Sequence, residues 1–317
     1  MRRAITWGVG FAVILLVGEA VAQLKATDER VPCRDYKDVL ALFDRLGYSQ
    51  QAWQAGIREV PRVYLEDIPE RWRERGSKVI PVADKKRLFF RALAPIVLRI
   101  NELIAADRAR AKEVTERLSL GEGVSAEDRA WLAELAVRYK LVRSPGDRLD
   151  SDQYPELLLR VDIVPASLSL AQAASESGWG TSRFAAEGNA LFGQWSWGKG
   201  LKPTEQRGKD LGDHRVAAFG STGEAVYAYT LNLNTQDAYR DFRLKRAELR
   251  RRNLRVSGEV LVQTLVRYSE RGQAYVDDLA TIMRQNRLGD ADDAYLRDMP
   301  VIRIVEASEG TTTPDDK

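Results

Sequence analysis

Glu176 stands where an amphipathic helix is expected to stop, inside the densest group of aromatic residues in the chain: residues 164–197 read VPASLSLAQAASESGWGTSRFAAEGNALFGQWSW. Pro165 suits the first turn of a helix, where its missing N–H would be unpaired anyway. Leu168, Leu170, Ala171, Ala173 and Ala174 continue the apolar pattern, and Gly178 and Gly180 supply stop signals. A carboxyl in that last turn meets the negative end of the helix dipole, which opposes its ionisation. Desolvation by Trp179, Phe184 or Trp195 would raise its pKa further. A carboxyl so held stays protonated near neutral pH, as the general acid that breaks a glycosidic bond must. The same rings offer flat apolar faces to sugars, and Trp179, Trp195 and Trp197 are three of the seven tryptophans in the chain. Composition alone favours the plainer alternative, a solvated helix-end Glu176 beside core tryptophans.

The elements around this stretch read mostly as helices. Between Lys85 and Leu118 the apolar residues Phe89, Leu93, Val97, Ile100 and Ile104 recur at helical spacing, with Pro95 expected as a kink or break. Ser125 and Asp128 mark the start of a second helix that carries Trp131, Leu132, Leu135 and Tyr139 on one side. The polar run SPGDRLDSD (144–152) suggests a boundary, giving an N-terminal helical region over 23–150 and a catalytic domain over 151–290. From Gly198 to Gly220 the glycines and Pro203 divide short extended pieces, which fits a small β-hairpin lobe. Ser221 and Glu224 then make a capping box, and helices are expected near 236–251, 258–268 and 274–286. Residues 291–317 read as a C-terminal tail, partly disordered.

The run Leu170–Ala174, Glu176–Ser182 and then Gly188, Asn189, Leu191, Phe192 and Gly193 resembles the signature of the glucosaminidase domain, glycoside hydrolase family 73. VPRVYL (60–65), KKRLFFRALAPIVLRINE (85–102), GQW (193–195), NLNT (232–235) and YSERGQAYVDDL (268–279) resemble its Bax-type branch of Gram-negative bacteria. The resemblance implies a mainly α, lysozyme-like α+β domain with a small β-hairpin lobe. It also implies an endo-β-N-acetylglucosaminidase acting on peptidoglycan, with Glu176 as general acid.

Glycosidases of the common kind use two carboxylates. The resemblance points to an acidic residue on the hairpin lobe, with Glu205 and Asp210 as candidates and Asp213 and Glu224 behind them. A substrate-assisted route would instead use the N-acetyl oxygen of the sugar. The family's paired tyrosines map onto Tyr268 and Tyr275, as substrate-positioning groups or as core residues with satisfied hydroxyls. Asn189 and Gln194 could offer amides to the substrate, and Phe184, Phe192, Trp179, Trp195 and Trp197 could line its groove. The chain departs from the family's Asn-Asn-Leu-Phe-Gly at Ala190, and carries Ser196 and Trp197 where Bax-type sequences tend to have cysteine and phenylalanine.

Arg2 and Arg3, the apolar run Ile5–Gly18 and the Ala20-Val21-Ala22 site read as a signal peptide over residues 1–22. Export, to the periplasm if the relationship holds, is the direct expectation; a retained segment would make a membrane anchor. The formal charge of +3 falls to +2 without those residues, which takes away Arg2, Arg3 and Glu19, so nucleic acid is not an expected partner. The basic run Arg243–Arg255 fits a solvated helix face, or a surface for anionic wall groups. One histidine, His214, and one cysteine, Cys33, cannot assemble a histidine- or cysteine-rich metal site, and no phosphate-binding glycine loop is present. Neither metal nor organic cofactor is expected. A lytic transglycosylase, a wall amidase and a non-catalytic wall-binding or scaffold module are the alternatives.

Overall fold

The computed structural model describes residues 28–68, 80–147, 149–197, 200–202 and 214–307. The fold is mainly α, with three small sheets among the described residues. The N-terminal part runs β1 (Glu29–Cys33), α1 (Tyr36–Arg45), α2 (Gln50–Gln54), β2 (Glu59–Val60) and β3 (Val63–Leu65). Then comes α3 (Val82–Ser119), a 38-residue helix that passes Pro95 without breaking. Pro95 and its neighbours Leu93, Ala94, Ile96 and Val97 are buried, so packing on both sides of the proline holds the helix through the missing hydrogen bond. α4 (Ala126–Arg138) starts as expected, with Ser125 Oγ accepting from Asp128 N at 2.9 Å. Leu132, Leu135 and Tyr139 close a small second core with Val114 of α3 and with Leu157 of α5 (Tyr154–Arg160).

α6 (Ala166–Ser177) carries Glu176 and is the axis of the molecule. It packs against α3 on one side and, on others, against α10 (Gly258–Leu261), α11 (Gln273–Gln285) and the 3₁₀ turn Leu288–Asp293. Ten of its twelve residues are buried, so it behaves as a core helix rather than an amphipathic one. Its first turn is closed from a distance. Pro165 sits at the N-cap and makes no side-chain cap bond, and Asp292 accepts instead from Ser167 N and Ser167 Oγ, both at 2.8 Å. Asp292 also accepts from Gly258 N at 2.9 Å, tying α10 to the same point. A Cβ at Gly258 would stand 2.2 Å from Ser167 Oγ, so only glycine lets the two helices approach this closely.

After α7 (Arg183–Gly188), the strands β4 (Trp195–Trp197) and β5 (His214–Val216) pair antiparallel, Trp195 opposite Val216 and Trp197 opposite His214. They are the root of the expected hairpin lobe. Glu205, Asp210 and Asp213 lie outside the described residues. α8 (Thr222–Thr235) and α9 (Arg240–Arg251) complete the helices, and β6 (Tyr295–Leu296) pairs with β2. The last strand, β7 (Ile302–Glu306), lies between β1 and β3 and is parallel to both. Two expectations change. The N-terminal region contributes strands as well as helices, and the stretch expected as a tail from residue 291 supplies the central strand of the largest sheet, with Ile302 and Ile304 buried. Residues 308–317, and the expected signal segment, lie outside the described residues.

Candidate active site

The end of α6 is set by local bonds. Gly178 caps the helix in the left-handed region, Trp179 N donates to Ala174 O at 3.0 Å, and Ser177 Oγ accepts from Gly180 N at 2.8 Å. Glu176, one residue before the helix ends, is thereby fixed in the last turn and only partly open to solvent. Gly193 closes over it. A Cβ on Gly193 would stand 3.1 Å from Glu176 Oε2, and its φ of +59° is one that side chains disfavour, so the Phe192–Gly193 turn can press against the carboxylate only as glycine.

Opposite Gly193 stands a chain of hydrogen bonds with a defined direction. Tyr229 Oη of α8 donates to Gln172 Oε1 at 2.6 Å, and Gln172 Nε2 donates to Tyr275 Oη of α11 at 3.0 Å. The oxygen of Tyr275 is thus used as an acceptor, which leaves its own proton free, and the Glu176 carboxyl is the charged neighbour that acts on the phenol. Gln172 and Glu176 are four residues apart and share one face of α6. Gln172 and Tyr229 are fully buried and Tyr275 nearly so.

Burial is the largest influence on Glu176 and pushes its carboxyl above the ordinary range. The Tyr275 hydrogen bond and the charge of Arg271 act the other way without cancelling it. Neither is a carboxylate. The helix dipole adds to the rise. Burial also raises Tyr275, and the adjacent Glu176 raises it further, so the phenol stays protonated. Tyr268 stacks on Tyr275 at 5.5 Å with nearly parallel rings, donates to Phe192 O at 3.3 Å, and meets Tyr239 at 5.6 Å. The wall beside Glu176 is therefore built of tyrosines.

The structure brings Glu176, Tyr275 and Tyr268 together and sends several other expected residues elsewhere. Phe192 is buried and stacked on Tyr229 at 3.9 Å, a core ring rather than a groove face. Asn189, expected to bind substrate, is buried and its amide is engaged: it accepts from Ile68 N at 3.1 Å and donates to Asp67 Oδ1 at 2.9 Å. Its left-handed backbone caps α7, so the turn role is the one observed. Trp179 packs edge-on against Phe89 and Phe90, and Lys86 Nζ lies 4.6 Å over its ring, which occupies the face a sugar would need. Phe184 is half-buried beneath the Arg183 guanidinium.

Trp195 is 63% exposed on β4, and the half-buried Gln194 keeps an enclosed Oε1 with no hydrogen-bond partner among the described residues. Trp195 suits a substrate contact. Trp197 ends β4, and its side chain lies outside what is described. Glu224 is taken up as a cap, accepting from Gly220 N at 2.9 Å. Sequence reasoning missed the roles of Gln172, Tyr229 and Gly193. Gln172 left a readable signal, a polar side chain one turn before Glu176 in an otherwise Leu/Ala run; Tyr229 lies too far along the chain to leave one.

The described residues contain no group of histidine, cysteine or carboxylate side chains arranged to hold a metal ion, and no helix long and apolar enough to cross a membrane. The basic run 243–255 is exposed at Arg250, Arg251, Arg252 and Arg255, as expected of a solvated face, but two of its members turn inward. Arg243 and Arg246 are completely buried, Arg243 donating to Leu233 O and Gln236 O, and Arg246 to Leu159 O and Ile163 O.

Residues 152–288, which span α5 to α11 and include Gln172, Glu176, Gly193, Tyr229, Tyr268 and Tyr275, match the glucosaminidase family model, described as mannosyl-glycoprotein endo-beta-N-acetylglucosaminidase. Protein bax of Escherichia coli K12 is 36% identical over 203 residues, covering 64% of this chain and 70% of that protein. No solved structure matches. With the relative aligned over most of its own length and the family model covering the Glu176 helix, this chain belongs to the Bax-type glucosaminidase-domain proteins.

Proposed function

We propose that the protein is an exported endo-β-N-acetylglucosaminidase that cleaves the glycan strands of peptidoglycan, with Glu176 as the general acid. The observation that carries this reading is a carboxyl at the end of a buried helix, raised by burial, beside a phenol whose oxygen already accepts from Gln172. In the reaction Glu176 gives its proton to the glycosidic oxygen as the bond to the anomeric carbon breaks. Tyr275 then donates to the carboxylate left behind. Gln172 and Tyr229 hold the phenol so that no reorganisation is needed at that moment. Trp195 supplies a stacking face to the sugar.

The second step has two routes. Inversion uses a carboxylate on the lobe between β4 and β5, where Glu205 and Asp210 are the candidates; substrate assistance uses the N-acetyl oxygen. Proton NMR of the freshly released product separates them, since inversion yields the α-anomer and assistance the β-anomer. The test of the function itself is digestion of purified peptidoglycan by the wild type and by Glu176→Gln, read by mass spectrometry of borohydride-reduced fragments. Reducing N-acetylglucosamine ends from the wild type alone support the reading. Anhydro ends would make the protein a lytic transglycosylase, released stem peptides an amidase, and intact sacculi from folded wild type a binding module.

A further inference from the structure

A second cleft of about 560 Å³ lies away from Glu176. It is walled by α2, by the first turns of α3 and by the end of α11, and Leu170 of α6 reaches it from the face opposite Gln172. Gln285 in its wall is ten residues beyond Tyr275 on α11, about 15 Å along the helix. None of Gln172, Glu176, Gly193, Arg271 and Tyr275 lines it.

The charge of this cleft is one-sided. Lys86, Arg87, Arg91 and Arg287 line it against a single carboxylate, Asp84. Arg87 donates to Asp84 at 2.6 Å and to Gln50 at 3.1 Å, and Arg91, nine-tenths buried over the rings of Phe43 and Tyr48, donates to Asp44 at 3.0 Å. The enclosed Nε atoms of both Arg87 and Arg91 have no acceptor among the described residues. Burial first, and then the neighbouring Arg87 charge, disfavour the cation of Arg91, against the pull of Tyr48 and Asp44. Donors thus outnumber acceptors in a pocket where positive charge is under-compensated, a setting that takes up carboxylates by charge-assisted bonds. The amides of Gln50, Gln54 and Gln285 and the indole of Trp53 line the same space, and suit a peptide backbone and its apolar side chains. The volume fits a few residues rather than a polymer.

We propose that this cleft binds a short acidic peptide through its carboxylates. Resting on the glycan-cleaving reading above, the ligand in the wall is the stem peptide carried by the same polymer, so that the protein holds the stem at one site and cuts sugar at another. A neutral glycan would leave Lys86 and Arg287, which form no salt bridge among the described residues, without a counter-charge, which sets the peptide ahead of a second sugar subsite.

Isothermal titration of the purified protein with stem peptides freed of sugar tests this directly. Sugar chains stripped of peptide, titrated into Glu176→Gln to prevent cleavage, form the comparison. Lys86→Gln keeps most of the side-chain length, and Arg287→Asn suits a backbone already in the left-handed region (φ 52°). A thermal melt matching the parent establishes that the double variant is folded, and Arg287→Asn alone serves if it does not. The expected result is peptide binding that weakens about tenfold in the double variant, and that falls as salt rises from about 50 to about 500 mM. Absence of peptide binding, equal affinity in the folded variant, or a loss confined to peptide-free glycan overturns the proposal. The peptide probe contains no glycosidic bond, so this outcome is independent of whether Glu176 cuts sugar.

Discussion

Opposed influences act on the Glu176 carboxyl, burial raising its pKa and Tyr275 and Arg271 lowering it, and the part of Tyr275 can be removed by itself. Because the acid works protonated, kcat/KM should fall as pH rises through the raised Glu176 value, placing the alkaline limb above the ordinary glutamate range of about 4.3. Tyr275→Phe removes the hydrogen bond that favours the carboxylate, so that limb should move to higher pH while the maximal rate drops; a limb that stays in place would separate Tyr275 from the acid. Glu176→Gln should lower kcat by about 10²–10⁴-fold. Its effect on stability has a definite sign. A raised folded-state pKa contributes stability that is present below the unfolded value and lost as pH rises through the folded one. Removing the titrating group should therefore leave the melting temperature at about pH 8 no lower than that of the wild type, and a clearly lower one there would count against a carboxyl held in this way. Gly193→Ala should cut activity with a stability loss of about 1 kcal/mol or more, since the new methyl meets both the Glu176 oxygen and an unfavourable φ.

At the scale of elements, the turn between α5 and α6 is held by one carboxylate, Asp162, which accepts from Arg250 Nε and Nη2, both at 2.6 Å, with Arg246 Nε at 3.6 Å and Arg108 Nη1 at 3.7 Å. Burial alone would raise Asp162, but the three guanidinium groups outweigh it and hold the group below the ordinary aspartate value. Its stabilisation is thus complete above about pH 3.9 and lost as pH falls through the lower folded value. Asp162→Ala should cost about 3–5 kcal/mol in urea melts at neutral pH, because Arg246 is left buried without its counter-charge. A cost near that of a surface substitution would mean that the backbone carbonyls hold Arg246 without it. This cluster was illegible in the sequence. RLKRAELRRRNLR has the composition of a solvated face, and what buries Arg243 and Arg246 is a set of carbonyls from α8 and from the turn before α6. The starts of α4 and α8 and the end of α6 were legible because their signals, Ser125, Ser221 and Gly178, act within a few residues. Pro95 does not break α3 for the converse reason, as tertiary burial outweighs a local breaker.

For the molecule as a whole, β7 joins the two ends of the described chain: Ile302 stands opposite Glu29 of β1 on one side and Val63 of β3 on the other. VIRIVE is rich in β-branched residues, as strands tend to be, yet nothing nearby in sequence could announce partners more than two hundred residues away, and a polar tail follows it. Arg303 strengthens the closure, paired with Asp28 and, at 2.8 Å, with Glu66, while Ile302 and Ile304 are buried on α3 and its neighbours. The family match ends at residue 288, so a chain cut after Pro300 would keep the whole matched region, including Glu176 and Tyr275, and would also keep the Asp292 cap of α6. If the region held itself together, that truncation would melt like the full chain. The sheet argues otherwise. Without β7, β1 and β3 lose their shared partner and expose edges and apolar side chains over the α3 core. The truncated protein should unfold at clearly lower urea, with a smaller m-value because less surface remains to be exposed. Ile304→Ala, which keeps the strand, should cost about 2–5 kcal/mol with m unchanged. Equal midpoints for the full and truncated chains would show that residues 152–288 fold without the sheet and that β7 serves some purpose other than closing it.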